Sequence, residues 1–149
     1  MENGKIFKNN ASQYGGGVYI SNGTFTMNSG VISENFSTCG GGVYSGNTFT
    51  MTNGIISSNT ASIFGGGVFL KSASLFNKTG GTIFGYTFDN NDSNMVRNTT
   101  GIVQDRKGHA VFVDYSIIPI LKDSDSGQEV NLSWNGTVNP PAFSGGWDY

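Results

Sequence analysis

The sequence predicts an all-β fold, a parallel β-helix in which about 25 residues make one coil. Three observations predict it. The same phrase is written three times at a constant interval, as "SQYGGGVYIS" from Ser12, "STCGGGVYSG" from Ser37 and "SIFGGGVFLK" from Ser62. The stretches between them also repeat. Each is a short alternating run bounded by Gly, Asn or Ser, the pattern of a strand with two distinct faces. Finally, no window carries apolar residues at helical spacing over a useful length. A repeat of this size cannot bury its apolar face alone, but stacked copies can.

Three kinds of segment recur, and each is expected to form one strand per coil. The first is "GGGVYI" at Gly15, "GGGVYS" at Gly40 and "GGGVFL" at Gly65, with a diverged copy, "GHAVFV", at Gly108. The second is "TFTMNSG" at Thr24 and "TFTMTNG" at Thr48, with "LFNKTGG" at Leu75 as a weaker copy. The third is "GKIFKN" at Gly4, "GVISEN" at Gly30, "GIISSN" at Gly54 and "GTIFGY" at Gly81.

Aligning the copies gives columns. Val18, Val43, Val68 and Val111 share one; Phe25, Phe49 and Phe76 another; Ile6, Ile32, Ile56 and Ile83 a third. These are expected to point inward as continuous stacks. Lys5, Val31, Ile55 and Thr82 form a neighbouring column that admits lysine and so reads as outward. Lys78 stands where Met27 and Met51 stand, at an inward position. Either the third coil is looser there or the lysine stem snorkels outward. Asn9, Asn35 and Asn59 fall three residues after the core isoleucines and read as a ladder of stacked side-chain amides at a turn. That column stops at Tyr86.

The triple glycine permits positive φ and close backbone approach, which a tight corner repeated in every coil requires. A phosphate-cradling loop would instead be one glycine-rich turn entering a helix. Three copies, each entering a strand, argue against it.

The 149 residues are enough for one domain. Residues 1–88 read as regular coils, 89–107 as an inserted loop, and 108–149 as the last coil and a C-terminal cap, with about four to five coils in all. The apolar tail stretches "YSIIPIL" and "NPPAF" are expected to cover the last coil, whose strand edges would otherwise be unpaired. Only 12% of residues are charged and the net charge is -2, which excludes a nucleic-acid surface of clustered Lys and Arg. An aromatic content of 13% excludes a disordered chain. No apolar run is long enough to span a membrane. No signal peptide follows Met1, yet the repeat is under way by Asn3, so the chain is expected to be a fragment of a longer protein. Cys39 is the single cysteine, so no internal disulfide is possible. It shares a column with Tyr14 and Phe64 and reads as a small apolar residue.

Candidate chemistry is sparse. Of the 10 acidic residues, only Glu2 and Glu34 lie in the regular coils, so no catalytic carboxylate pair is expected there. The chain is read as a non-enzyme with no cofactor. His109, the only histidine, lies inside a repeat copy; a Ser-His-Asp arrangement is formally open in any Ser-rich chain, against a structural role for that residue. "DSDSGQE" sets Asp123, Asp125 and Glu129 around a glycine, as calcium loops do, but the full loop signature is absent and the segment reads first as an ordinary polar turn. "DNNDSN" from Asp89 is a weaker version.

Two outward rows remain. Thr24 and Thr26 lie over Thr48 and Thr50, a Thr-x-Thr array of the kind ice-binding solenoids use, and also what exposed strands use anyway. Tyr19, Tyr44, Phe69 and Phe112 each follow an inward valine, so they are expected to point out and form the ligand-contacting row, if any face does. The other reading is that the tail or cross-coil packing covers them.

"GGGVYISNGTFTMNSGVISENFS" resembles the repeats of bacterial surface and secreted proteins with a right-handed, pectin-lyase-like parallel β-helix, and more distantly the polymorphic outer-membrane repeats. The tail, "FNKTGGTIFG" through "LKDSDSGQEVNLSWNG", resembles the closing unit of such arrays. The resemblance implies a right-handed coil, an extracellular or cell-surface location, and a non-catalytic role in adhesion or display toward a host or microbial surface glycan or protein. The alternatives are a glycan-binding module and a polysaccharide-active β-helix. No catalytic residues carry over.

Overall fold

The structure, a computed structural model, describes residues 1–86, 91–104, 108–114, 120–122 and 129–131. The chain is all-β and coils as a parallel β-solenoid of about three turns at a spacing of about 25 residues. The four to five coils expected are those of the whole chain; the three turns are those of the described residues. Its strands stack as four rungs.

The first rung holds β1 (Lys5–Phe7), β2 (Val18–Ile20) and β3 (Thr24–Met27). The second holds β4 (Val31–Ser33), β5 (Phe36–Cys39), β6 (Val43–Ser45) and β7 (Thr48–Met51). The third holds β8 (Ile55–Ser57), β9 (Thr60–Phe64), β10 (Val68–Leu70) and β11 (Leu75–Lys78). The fourth holds β12 (Thr82–Ile83), β13 (Met95–Val96) and β14 (Val111–Val113). Beyond them, β15 (Ile120–Lys122) and β16 (Glu129–Asn131) form an antiparallel hairpin, and β15 lies beside β11.

Four parallel sheets run along the stack: β1-β4-β8-β12, β5-β9-β13, β2-β6-β10-β14 and β3-β7-β11. Each coil therefore has four sides rather than the expected three. The side missing from the sequence reading is the β5-β9-β13 sheet, which follows the asparagine column. In the first rung it is reduced to isolated bridges, Asn10 to Phe36 and Tyr14 to Cys39.

The pairing register matches the sequence columns. Ile6 pairs with Ile32 and Ile32 with Ile56; Ile83 joins through Ile56. Val18, Val43, Val68 and Val111 are in line, as are Phe25, Phe49 and Phe76. These residues form one core, completed by Met27, Met51, Ile20 and Leu70. Ile6, Val18 and Phe25, in the first rung, are only half-buried. Lys78 is buried in the methionine column rather than snorkelling out, and it is not left unpaired.

The expected inserted loop needs correction. Asn94, Met95 and Val96 rejoin the stack, with Met95 and Val96 pairing Thr60 and Ala61. The asparagine column therefore does not stop at Tyr86. It continues at Asn94, eleven residues after Ile83 instead of three.

Candidate functional site

Two corners define the outer surface of each coil. At the asparagine corner, Asn35 Nδ2 donates to Asn59 Oδ1 at 2.9 Å and to the Ile6 carbonyl at 3.0 Å, and the Asn35 backbone N–H donates to the same Asn59 Oδ1 at 3.0 Å. Asn59 repeats this toward Asn94 Oδ1 and the Ile32 carbonyl, and Asn9 toward Asn35 Oδ1. Asn94 Nδ2 donates to the carbonyls of Ile56 and Phe84. Asn35, Asn59 and Asn94 are fully buried, so this ladder satisfies polar groups where water has no access. It is a structural device, as the sequence indicated.

At the glycine corner the first glycine of each copy takes positive φ: +59° at Gly15, +69° at Gly40, +66° at Gly65 and +67° at Gly108. The second and third glycines are needed for a different reason. A Cβ on Gly41 would lie 2.5 Å from both the Gly66 and the Thr60 carbonyl oxygens, and one on Gly42 would lie 2.6 Å from the Gly67 oxygen. The next rung leaves no room for a side chain. In the fourth rung His109 and Ala110 replace these two glycines, and β14 is the edge strand of its sheet. Side chains return where, among the described residues, no further rung of that sheet presses on them.

This tight corner brings together residues on either side of it. Tyr14, Cys39 and Phe64 precede the glycines; Tyr19, Tyr44, Phe69 and Phe112 follow them. The two columns meet outside the coil as a second apolar cluster, separate from the core. Tyr14 lies 4.6 Å from Tyr44 between ring centroids, and Phe64 lies 4.3 Å from Phe112. Along the row, Tyr44 stacks on Phe69 at 5.0 Å and Phe69 on Phe112 at 5.4 Å. Tyr14 and Phe64 thus lean over the row residue of the next rung, and Cys39 packs against the same cluster.

Of the two readings of the aromatic row, this packing fits the covered one for three of its four members. Tyr44, Phe69 and Phe112 do point away from the core, but the pre-glycine column covers them, and they are 8%, 6% and 9% exposed. Only Tyr19, at 55%, stays open. Burial pushes the Tyr44 phenol up from its usual range, with smaller contributions from Tyr14, Tyr19, Cys39 and Asp114. Burial likewise raises the Cys39 thiol, helped by the Asp114 charge and opposed by the bond to the Phe64 backbone.

Other expected sites fall as follows. Thr24 pairs with Thr48 and Thr26 with Thr50, so the threonine array is in register over two rungs, with Leu75 and Asn77 in the third. His109 Nδ1 accepts the Val96 N–H at 3.0 Å, tying β13 to the fourth glycine corner. Asp123 and Asp125 lie outside the described residues, and Glu129 opens β16. Among the described residues no three His, Cys, Asp or Glu side chains gather, and no helix is long and apolar enough to cross a membrane.

The surface feature that sequence reading missed is on the β5-β9-β13 side. Tyr14, Phe36 and Ile63 are exposed there by 43%, 41% and 46%. Its one sequence signal is a small residue two places after each ladder asparagine, Ala11, Ser37, Ala61 and then Val96, which marks an inward column.

The fold and surface define a parallel β-solenoid with an external aromatic cluster. Comparison with protein-family models, curated proteins and solved structures finds no match for the chain.

Proposed function

We propose that the protein is a non-catalytic, surface-exposed β-solenoid module for adhesion or display. Its contact surface is the side that carries Tyr14, Phe36 and Ile63, with Tyr19 at its end. The observation that supports this reading is the grouping of large apolar side chains, each about two-fifths exposed or more, on one side of a rigid scaffold. Exposed apolar groups gathered on one face mark interaction surfaces. Flat rings such as Tyr14 and Phe36 suit stacking on sugar faces or on partner side chains. A surface glycan or a surface protein is the partner class, at an extracellular or cell-surface location.

The test is a glycan array and a cell-adhesion assay on the wild type, Tyr14→Ser/Phe36→Ser and Tyr19→Ser, with folding checked by circular dichroism. The double variant is expected to lose binding, and Tyr19→Ser to weaken it. Equal binding by all three proteins would overturn the assignment of this face.

A further inference from the structure

We propose that the first-rung face of the solenoid is a docking surface for one further coil of the same repeat, laid on in phase with Met1.

Three sets of groups support this. The first is hydrogen bonding. In the rungs above, Val31, Ile55 and Thr82 donate N–H to Gly4, Gly30 and Gly54 of the rung below. Phe36, Thr60 and Met95 donate likewise to Asn9, Asn35 and Asn59, and Thr48 and Leu75 to Gly23 and Asn47. Lys5, Asn10 and Thr24 hold the corresponding places in the first rung, all exposed, at the edge of their sheets. At the glycine corner the direction is uniform: Gly16 and Gly17 donate upward to Gly40 and Gly42, Gly41 to Gly65, and Gly66 to Gly108. The first-rung glycine carbonyls therefore form a patch of acceptors facing the place where each higher rung receives donors, while at the other corner Asn9 offers Oδ1 as an acceptor and, by the pattern of Asn35 and Asn59, Nδ2 as a donor.

The second is packing. The residue before the glycines covers the aromatic residue of the next rung, and Tyr19 is the one member of its row with no such residue below it. Its 55% exposure, against 8% for Tyr44, follows from that lean. Ile6, Val18 and Phe25 are the half-covered ends of three core columns.

The third is Met1. Its Cε lies at Gly30 as Met27 Cε lies at Gly54 and Met51 Cε at Gly81. Its carbonyl accepts the Asn28 N–H at 2.8 Å as those of Met27 and Met51 accept from Thr52 and Thr79 at 2.9 Å. Met1 already occupies the methionine column, so a strand running into it lies along the open edge of β3.

The occupant must offer donors at the glycine and asparagine corners and an apolar residue over Tyr19. A coil of this repeat offers all of them. A second copy placed face to face, glycine corner on glycine corner, does not, because there it would set acceptors against acceptors.

The experiment duplicates residues 28–50 directly ahead of Met1, so that the duplicated Thr50 meets Met1 as Thr50 meets Met51. Amide hydrogen exchange is followed at Lys5, Asn10 and Thr24, with Phe49 and Met51 reporting that the stack is folded. Exchange at the three edge amides is expected to slow by about 100-fold or more. A second chain with one serine added between the graft and Met1 slips the register by one residue, which reverses every side chain, and is expected to lose the protection. No slowing in the in-phase chain, equal slowing in both, or loss of protection at Phe49 would overturn the proposal. So would a dimer of the unextended protein that protects the same three amides.

Discussion

The two corners of each coil solve one problem by opposite means. Both must turn the chain sharply while neighbouring rungs stay within hydrogen-bonding distance. The asparagine corner fills the space with a side chain that replaces missing backbone partners, and the buried amides of Asn35, Asn59 and Asn94 are each used at least twice. The glycine corner removes side chains so that backbones touch directly. The asparagine corner is therefore sensitive to what is taken away, and the glycine corner to what is added.

The largest expected effect breaks the glycine side of this contrast. Gly41→Ala places a Cβ 2.5 Å from two backbone oxygens, which cannot move as side chains do. A loss of about 3 kcal/mol or more is expected, read as the urea midpoint at constant slope. Asn59→Ala tests the other corner. It removes the acceptor of the Asn35 backbone N–H, one of the two acceptors of Asn35 Nδ2 and the side-chain donor to the Ile32 carbonyl, and about 2–3 kcal/mol should be lost in the same measurement. If Asn59→Ala were neutral, the ladder would not be what holds that corner.

A smaller effect sharpens the comparison within one column. Gly67 and Ala110 hold the same place in successive rungs. Gly67→Ala should destabilise strongly, because its Cβ would meet the Ala110 oxygen at 2.6 Å. Ala110→Gly should cost only about 1–2 kcal/mol, the backbone-entropy term plus one buried methyl. Equal costs would mean that the steric reading of the corner is wrong.

Tyr44→Phe should change little at neutral pH and more in alkali. The folded phenol is raised above its unfolded value, so the unfolded chain ionises first. Stability is intact below about pH 10, the ordinary tyrosine range, and falls as pH rises through the folded value. In Tyr44→Phe this alkaline decline should be shallower in melting curves taken across that range. The smallest change is Ser33→Ala. Its Oγ is buried without a partner, so removal should be neutral or stabilising by up to about 1 kcal/mol.

Much of the fold was legible in the sequence because identical residues recur where identical packing recurs. The valine, isoleucine and phenylalanine columns could be read directly and pair as read. The β5-β9-β13 side was not legible, since its inward column needs only small size and is met by Ala11, Ser37, Ala61 and Val96. Asn94 was missed because alignment at a fixed offset cannot cross extra residues, although "SNMV" carries the same signal as "NNA" and "NTA". The aromatic row was assigned the correct side of its strand, but of its two readings, open or covered, the sequence could not pick out the residues that do the covering. Alternation along a strand gives direction relative to the core, whereas the cover comes from the far side of a corner, where Tyr14, Cys39 and Phe64 share no residue type.

The lean of the outer column gives the stack an order of growth. When a rung is added at the C-terminal end, its aromatic residue settles under a cover that is already in place: Tyr44 meets Tyr14, and Phe112 meets Phe64. When a rung is added at the other end, the newcomer's own aromatic residue stays bare and only its predecessor gains a roof. The final structure buries the same surface by either route, but the intermediates do not. A chain made from its N-terminus leaves the ribosome in the sequence that hides each ring as it arrives, so the half-built solenoid exposes less sticky surface than one wound backwards.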